Sequence, residues 1–429
     1  MSQFINMKKV FFLIFLTFIQ SVQSEIENEQ KVNYFKSRLE AMEDFYIQGS
    51  TNFTSLSSEK YDLKILPLPF KNYFEGYGKP VAYVESLNKY NSIVISGSGE
   101  VFLIRHNWDS QENSLNTIKI RTNLNQIEGL GVIRRDAGSS IKDILFFDNY
   151  LYITSSIDHG KCIGIKVFRA PIDNIKETEK LHFEPLTFDL DCLDKNIFKD
   201  LNPHIGGGRL HQWNNKLLMT TGDYGIPSLA QNNESSYGKL LLLDMKRWNY
   251  KVIGKGLRNP QGLEVHKNTA YISQHGQKGG DEINKIDLES DQIMNWGWPT
   301  VYYGAPYKSE IKTPEPNYWE HKTRGFAEPE YAFQKSAAIS QLLVTKCGAN
   351  SPTFIAGTLG YDAKDYRQKI INFDIYQLRA GPTDILYVNE RIRDMQEIRE
   401  SPCDFMFIGE GQGHNIGIPK LYLLSLKAD

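Results

Sequence analysis

Six stretches of the chain share one pattern, and this repetition constrains the fold more than any other feature of the sequence. In each stretch an alternating apolar run ends in Thr, Ser or Gly at a turn, and a second apolar run follows. The stretches are residues 92–105, 149–169, 216–244, 269–287, 353–375 and 404–426. Paired β-strands have this pattern, and its recurrence every roughly 50 to 85 residues indicates sheet modules joined by loops of variable length.

A single module of this kind would leave one face of its sheet exposed to water. Radial stacking around a common axis buries both faces of each sheet and protects the strand edges. We therefore predict an all-β fold, a six-bladed β-propeller over residues 60–429. The aromatic content of 12% also favours β-structure. A pair of β-sandwiches is the alternative, although no linker rich in Pro or Ser divides the chain.

The N-terminus has the features of an export signal. Lys8 and Lys9 precede an apolar run at residues 10–19, which is too short for a comfortable membrane span. We predict a signal peptide at residues 1–24 that is cleaved after Ser24. The mature protein would then be periplasmic or secreted, with no membrane span. An uncleaved N-terminal anchor is the alternative.

Two further segments differ from the repeated pattern. In residues 25–59, apolar side chains recur at helical spacing among charges, which predicts a short N-terminal helical extension followed by a Ser/Thr-rich connector at 50–58. Residues 302–329 form a loop rich in Pro, Gly and aromatic residues. Loops of this length often act as lids or substrate walls, and a surface loop without a role in the site is the alternative.

The cysteines fit an oxidising compartment. There are four of them and none lies in a Cys-x-x-Cys pair, so zinc and thioredoxin-like chemistry have no support. They are Cys162, Cys192, Cys347 and Cys403. The pair Cys162 and Cys192 is the simplest disulfide because it closes the shorter loop, and four free buried thiols are the alternative.

Several functions have little support in this sequence. The net charge of −2 gives no electrostatic reason to expect a nucleic-acid partner. The chain has no P-loop, no His-Glu-x-x-His motif and no Gly-x-Ser-x-Gly elbow. The glycines at 97 and 99 lie between two strand-like runs, without the helix that a dinucleotide site requires.

The first candidate site segment is Pro-His-Ile-Gly-Gly-Gly-Arg-Leu at residues 203–210. Glycines let the backbone turn tightly and approach a flat ligand, and a histidine can accept a proton near neutral pH. His204 is therefore a candidate general base. A histidine that simply occupies a turn is the alternative.

The second segment, Leu-Arg-Asn-Pro-Gln-Gly-Leu at residues 257–263, groups three polar side chains between apolar anchors. Proline restricts the preceding residue to an extended backbone, so Arg258, Asn259 and Gln261 can be presented to a ligand. The alternative for Arg258 is an ion pair with a structural carboxylate.

A third segment, Arg391-Ile392-Arg393-Asp394, carries two cations. Side chains two positions apart in an extended strand point to the same side, and paired guanidinium groups bind carboxylates through forked hydrogen bonds. We predict that Arg391 and Arg393 form an anion site. A solvated surface strand is the alternative.

A fourth segment is the Gly-rich turn Gln-His-Gly-Gln-Lys-Gly-Gly-Asp-Glu at residues 274–282. Carbonyl oxygens that a Gly-rich turn frees from sheet pairing, together with carboxylates, are the hard ligands that Ca²⁺ prefers. His275 by itself is weak evidence for zinc because no second histidine stands at ligand spacing.

Together these segments resemble the soluble glucose/sorbosone dehydrogenase family, quinoprotein β-propellers that use pyrroloquinoline quinone. The resemblance implies that His204 is the general base and that Arg258 acts with it on the sugar. It implies cofactor contacts from the side chains of Asn259, Gln261, Arg391 and Arg393. It also implies Ca²⁺ ligands from the carbonyls of Gly276 and Gln277, and a contribution of Glu282 to a second, structural ion.

On this resemblance, the chain is expected to be a sugar dehydrogenase that transfers a hydride from an aldose to the quinone, with an external electron acceptor. Two departures from the family cut against this activity, because Gly360 stands in place of a family lysine and residues 337–340 lack a family tryptophan. The alternative is a catalytically silent propeller that binds a glycan or a protein partner.

Overall fold

The computed structural model describes most of the chain from Thr54 onwards. The described residues are 54–57, 61–67, 81–106, 115–130, 140–172, 180–307, 316–345, 347, 352–360, 369–374, 376–388, 390–410 and 419–426. The predicted signal peptide at 1–24 and the predicted helix after residue 25 lie outside them. No helix in this part of the chain is long and apolar enough to cross a membrane.

The described strands form six sheets, which are antiparallel apart from two short parallel edge pairs, residues 180–181 with 121–122 and residues 294–295 with 254–255. The first described strands are β1 (Thr54–Ser57) and β2 (Tyr61–Pro67), which join the last sheet. Blade 1 contains β3 (Ala82–Asn88), β4 (Asn91–Ser96), β5 (Val101–His106) and β6 (Leu115–Thr122). Blade 2 contains β7 (Ile141–Phe147), β8 (Tyr150–Asp158) and β9 (Cys162–Pro171), with the short β11 (Glu184–Pro185) and β12 (Leu193–Asp194), while β10 (Lys180–Leu181) returns to blade 1.

The next two blades have the same plan. Blade 3 contains β13 (Gly207–Trp213), β14 (Lys216–Thr221), β15 (Lys239–Asp244) and β16 (Asn249–Lys255), joined at its edge by β20 (Met294–Asn295). Blade 4 contains β17 (Pro260–His266), β18 (Thr269–Gln274), β19 (Glu282–Asp287) and β21 (Tyr331–Ala332).

Blade 5 contains β22 (Ile339–Thr345), β23 (Thr353–Thr358), β24 (Lys369–Asp374) and β25 (Pro382–Tyr387). Blade 6 contains β26 (Ile392–Ile398), β27 (Ser401–Gly409) and β28 (Lys420–Leu426), followed by β2 and β1. The described helical segments are the one-turn helix α1 (Glu320–Thr323) and 3-10 turns at Leu124–Gln126, Pro203–Ile205, Pro227–Ala230 and Leu378–Ala380.

The innermost strands of the blades contact one another in a closed ring, in the order β3, β7, β13, β17, β22, β26 and back to β3. The chain closes this ring by pairing its N-terminal strand β2 with the C-terminal strand β28, from Tyr61 opposite Leu426 to Pro67 opposite Lys420. The predicted six-bladed β-propeller is confirmed, and the alternative of two β-sandwiches is wrong. Strand β1 lies within the stretch that the sequence pattern predicts to be a connector.

The hydrophobic core consists of six separate wedges, one between each pair of neighbouring blades. One wedge packs Val84 and Phe102 of blade 1 against Met406 and Leu423 of blade 6, and the other five join consecutive blades in the same way. Each blade therefore buries both faces, which explains why the strands read as apolar runs in the sequence. Each of the six repeated stretches found in the sequence coincides with the middle hairpin of one blade.

Two disulfides link the cysteines. Cys162 at the start of β9 is bonded to Cys192 within blade 2, as the simplest pairing predicts. Cys347, which follows β22, is bonded to Cys403 in β27 and so connects blade 5 to blade 6. The pairing agrees with folding in an oxidising compartment.

Five of the six inner strands carry a register shift near the end at which they begin. The shifts lie between Ile141 and Asp143, Gly207 and Leu210, Pro260 and Gly262, Ile339 and Leu342, and Ile392 and Asp394. A β-bulge inserts an extra residue and changes the direction of a side chain. Four side chains from these bulges point into the axial channel at the same end, and they are Lys142, Arg209, Gln261 and Arg393.

Arg209 ties the inner strands together across the propeller axis. Its Nη1 lies 2.6 Å from Asp394 and 3.0 Å from Asp143, and its Nε and Nη2 donate to the carbonyl oxygens of Gln261 and Arg393. Asp143 also accepts the N–H of Leu210. All three charged side chains are at most 5% exposed. We call Arg209, Asp143 and Asp394 the axial triad.

The axial triad yields a stability prediction. Replacing Arg209 with Met leaves two buried carboxylates without their cation, and breaking a buried ion pair in this way costs about 3–5 kcal/mol. Urea denaturation followed by tryptophan fluorescence measures the loss. The matched control is Lys285→Met, which removes an exposed pair with Glu330 and should cost at most about 1 kcal/mol. Equal losses for the two variants would contradict a central role for the triad.

Candidate functional site

The candidate site is a cavity of about 70 Å³ at the end of the axis where the bulges lie. Residues from five inner strands and the turns before them line it. They are Val81, Tyr83, Ser140, Lys142, His204, Gly207, Arg209, Pro260, Gln261 and Arg393. The axial triad forms its floor, because Arg209 lines this cavity while Asp143 and Asp394 line a second cavity on the other side. We call the two the upper and the lower axial cavity.

His204 lies at the mouth of the upper axial cavity. It sits in the 3-10 turn Pro203–Ile205, where the Asn202 side chain accepts the backbone N–H of His204 at 3.1 Å. The following glycines make the turn possible, since Gly207 and Gly208 have φ angles of +67° and +110°. His204 is exposed and also lines the cavity, so it is accessible from solvent.

Arg393 lines the upper axial cavity, but it already has an anionic partner. Its Nε and Nη2 lie 2.5 Å and 3.1 Å from the two carboxylate oxygens of Glu410, which is 1% exposed. Arg391 is buried behind it, 3.4 Å from the same carboxylate, and donates to the carbonyl oxygen of Leu359. Arg393 therefore lines the cavity while Arg391 does not, and Glu410 neutralises part of the charge of the predicted anion site.

Gln261 connects Arg393 to a chain of buried polar groups. Its Oε1 lies 3.5 Å from Arg393, and its amide donates to Asn259 at 2.7 Å. Asn259 in turn lies 3.3 Å from Nδ1 of His275, whose Nε2 is 2.8 Å from the carbonyl oxygen of Ile339. Burial lowers the pKa of His275, so the ring stays neutral at physiological pH with the proton on Nε2. Gln261 thus lines the upper axial cavity, whereas Asn259 is buried and does not line it.

Arg258 does not line the upper axial cavity, where His204, its expected partner in acting on the sugar, lies. It lines a neighbouring cavity of about 10 Å³ together with Trp298 and Tyr302, and its guanidinium lies 5.5 Å from the ring centre of Trp298. The ring of Tyr307, which belongs to the aromatic-rich loop, lies 5.7 Å from it on the exposed side. This part of the loop therefore contacts Arg258, and its role as a wall stays a prediction.

The calcium ligands expected in the Gly-rich turn do not form a cation site as they are placed. Nη1 of Arg258 donates to the carbonyl oxygen of Gly276 at 2.6 Å and to that of His275 at 3.1 Å. The Arg258 guanidinium is thus the hydrogen-bond partner of Gly276, one of the two carbonyl groups expected to bind calcium. Gln277 is half-buried in the same turn.

Glu282 is buried and serves as an acceptor within blade 4. Its Oε2 accepts from Gln274 at 2.7 Å and from Asn284 at 3.2 Å, and burial raises its pKa to about 7. Among the described residues there is no group of three or more His, Cys, Asp or Glu side chains arranged to hold a metal ion. These contacts give Glu282 a structural explanation that needs no ion.

The lower axial cavity, about 130 Å³ in volume, is acidic. Burial raises the pKa of Glu85 and of Glu264 to about 8 in each case, even though Arg399 lies 3.1 Å from Glu85. Glu397 lines the same space. Protonated carboxyl groups can share such a cavity at neutral pH, whereas ionised ones repel each other.

The sequence patterns did not identify three residues of the upper axial cavity region. Lys142 stands in an apolar strand, Tyr83 looks like an ordinary core residue, and Glu410 follows the end of β27. The three residues are related by their place in the blades. Lys142 and Tyr83 lie on inner strands, and Glu410 follows a strand that pairs with an inner strand. These residues can be recognised as candidates for the site once the inner strands are known.

The fold and the site define a six-bladed propeller with a polar, cation-lined cavity at one end of its axis. Residues 148–403 match the glucose/sorbosone dehydrogenase family. The chain belongs to this family.

Among curated proteins, an aldose sugar dehydrogenase of Escherichia coli strain K12 is 27% identical over 157 residues, which are 32% of this chain and 39% of that protein. Among solved structures, a glucose dehydrogenase aligns with a TM-score of 0.61 at 18% identity, over 82% of this chain and 98% of that one. A pyrroloquinoline quinone-bound aldose sugar dehydrogenase from Streptomyces coelicolor aligns with a TM-score of 0.54 at 16% identity, over 82% and 100%. At these identities the structural similarities establish the fold.

The lower axial cavity yields a pH prediction. The folded state holds a proton on Glu264 up to about pH 8, whereas the unfolded chain loses it near 4.5. Folding stability from this group is therefore present at low pH and is lost as the pH rises from about 4.5 to 8. Glu264→Gln should flatten this fall and be more stable than wild type at pH 8 in chemical denaturation. The exposed control Glu234→Gln should follow wild type, and parallel curves for all three proteins would contradict the prediction.

Proposed function

We propose that this protein is a quinoprotein sugar dehydrogenase, which oxidises an aldose or a related alcohol with pyrroloquinoline quinone as its cofactor. The observation that carries the proposal is the convergence of His204, Gln261 and Arg393 on one axial cavity in a chain of the glucose/sorbosone dehydrogenase family. The similarity to the Escherichia coli aldose sugar dehydrogenase supports the sugar as the substrate class.

The donor set of the upper axial cavity fits a polyanionic planar ligand. Lys142, Arg209 and Arg393 supply cationic N–H groups from three different blades, and Gln261 adds an amide. Charge-assisted hydrogen bonds of this kind are the strongest that a protein offers to carboxylates. When bound, the quinone would supply the acceptor for a hydride from the carbon that bears the sugar hydroxyl group.

The residues of the chain would perform the proton transfer and the positioning. His204, at the solvent end of the cavity, takes the hydroxyl proton as the hydride leaves, so the alcohol carbon is oxidised to a carbonyl. The hydrogen bond from Gln261 to Asn259 would hold the Gln261 side chain in place beside the ligand. Arg258 and the ring of Tyr307 would form a wall against which the sugar lies. Ca²⁺ at the carbonyl groups of Gly276 and Gln277 belongs to the proposal too, and Arg258, which donates to the Gly276 carbonyl, would have to release it for the ion to bind there.

Export is part of the proposal. The disulfides Cys162–Cys192 and Cys347–Cys403 support a secreted or periplasmic location after removal of residues 1–24. An external electron acceptor would then reoxidise the cofactor outside the cytoplasm.

One observation favours a second candidate, a catalytically silent propeller that binds a glycan or a protein. Asp143, Asp394 and Glu410 already balance the charges of Arg209, Arg391 and Arg393. Internal ion pairs reduce the electrostatic attraction for an anionic cofactor. The two candidates therefore differ in whether the quinone binds at all.

Reconstitution of the purified mature protein distinguishes the candidates. Pyrroloquinoline quinone is titrated in with and without Ca²⁺, with binding followed by calorimetry, and dye reduction is then measured with a panel of aldoses. We expect quinone binding and sugar-dependent dye reduction. His204→Gln should lower the turnover roughly 10²-fold or more with little change in quinone binding, because it removes the proton acceptor.

The matched control is His182→Gln, which alters an exposed histidine between β10 and β11, outside the cavity, and should leave turnover unchanged. Absence of quinone binding by the folded protein would refute the enzyme and favour the silent propeller. Full turnover in His204→Gln would refute the role of His204 while leaving the enzyme in place.

A further inference from the structure

We propose that Lys142 is the side chain that binds an anionic group of the ligand in the upper axial cavity. This inference rests on the proposed function for one point, the identity of the ligand as a quinone that carries carboxylate groups. It assigns the anion contact to an inner strand of blade 2, away from the arginines that the sequence motifs suggest.

Lys142 is placed for this role by the bulge at the start of β7. The register of β7 against β8 shifts between Ile141 and Asp143, so Lys142 leaves the alternation of the strand and lines the cavity. Its Nζ donates to the carbonyl oxygen of Pro203 at 3.0 Å, directly before His204. A Cβ atom on Gly208 would lie 2.5 Å from the Cβ of Lys142, so this glycine makes room for the lysine.

The charges around the cavity single out Lys142. Arg209 lies within 3.0 Å of two carboxylates, and Arg393 is held by Glu410. Lys142 hydrogen bonds to a neutral carbonyl group, and no described carboxylate lies at ion-pair distance from it. Of the lysine and arginine side chains that line the cavity, Lys142 therefore carries the charge that the protein leaves unbalanced.

The protonation state of Lys142 gives the proposal a measurable signature. Burial, and then the charge of Arg393, lower the pKa of Lys142 to about 7. The other ionisable groups that face the cavity are His204, Arg209 and Tyr83. An anion beside the ammonium group stabilises its charged form. Anion affinity should therefore be highest below pH 7 and should fall as the pH rises through that value.

The test measures anion binding by calorimetry at pH 6 and pH 8.5. The probes are pyrroloquinoline quinone and benzene-1,3,5-tricarboxylate, which has no redox activity and stays ionised over this range. For wild type we expect weaker binding at pH 8.5 by roughly tenfold or more, since a group with a pKa of about 7 is then mostly neutral.

Two substitutions at position 142 separate charge from shape. Lys142→Gln should weaken binding at pH 6 by roughly tenfold or more, because it removes a charge-assisted hydrogen bond, and should abolish the pH dependence. Lys142→Arg should bind at both pH values, because a guanidinium group does not titrate in this range. Retained binding by Lys142→Arg also shows that substitution here leaves the fold intact.

Two controls exclude other sources of the effect. Lys246→Gln removes an exposed lysine from the turn between β15 and β16 and should behave as wild type. His204→Gln should keep the pH dependence, because that dependence belongs to Lys142. Loss of the pH dependence in His204→Gln would overturn the proposal.

The two probes keep this proposal separate from the proposed function. If the tricarboxylate binds through Lys142 and the quinone binds to no variant, the anion site is supported and the quinoprotein function is refuted. If wild type and Lys142→Gln bind the same anion equally well, the proposal for Lys142 is overturned. Failure of folded wild type to bind either anion also overturns it.

Discussion

The contact of Arg209 with Asp143 and Asp394 is the interaction on which the arrangement of the site depends. Asp394 lies 185 residues from Arg209 in the sequence, yet the two side chains are 2.6 Å apart on the propeller axis. Desolvating three charges is expensive, and mutual pairing with additional backbone hydrogen bonds offsets the cost. The triad joins the inner strands and divides the axial channel into an upper cavity lined by cations and a lower cavity lined by carboxyl groups.

The bulges explain how a regular fold produces an irregular site. A perfectly alternating inner strand would point its side chains by turns into the wedges on the two sides of its blade. The extra residue at Lys142, Gln261 and Arg393 turns a polar side chain towards the axis instead. Because the bulges lie at the same end of the ring, short polar motifs that are far apart in the sequence meet in one cavity.

The same geometry limited what the motifs could predict about the site. The sequence grouped His204, Gln261 and Arg393 with one ligand, and these three line one cavity. It placed Arg391 and Arg393 on the same side of one strand, because side chains two positions apart in a regular strand point the same way. The bulge after Ile392 breaks that regularity. It also assigned the Gly276 carbonyl to calcium, whereas the Arg258 guanidinium binds it. A motif shows which groups are present, but the partner of a charge depends on which side chains approach it in space.

The sequence by itself determined the all-β class and the six repeated hairpins, because strand periodicity is a local property of the chain, and it favoured the disulfide between Cys162 and Cys192 because that pair closes the shorter loop. Only the tertiary structure decided that Glu410 neutralises Arg393 and that the charge of Lys142 remains unbalanced. Burial strengthens electrostatic interactions and makes each one depend on distances of a few ångströms. Those distances are set by the closure of the ring, in which β2 pairs with β28.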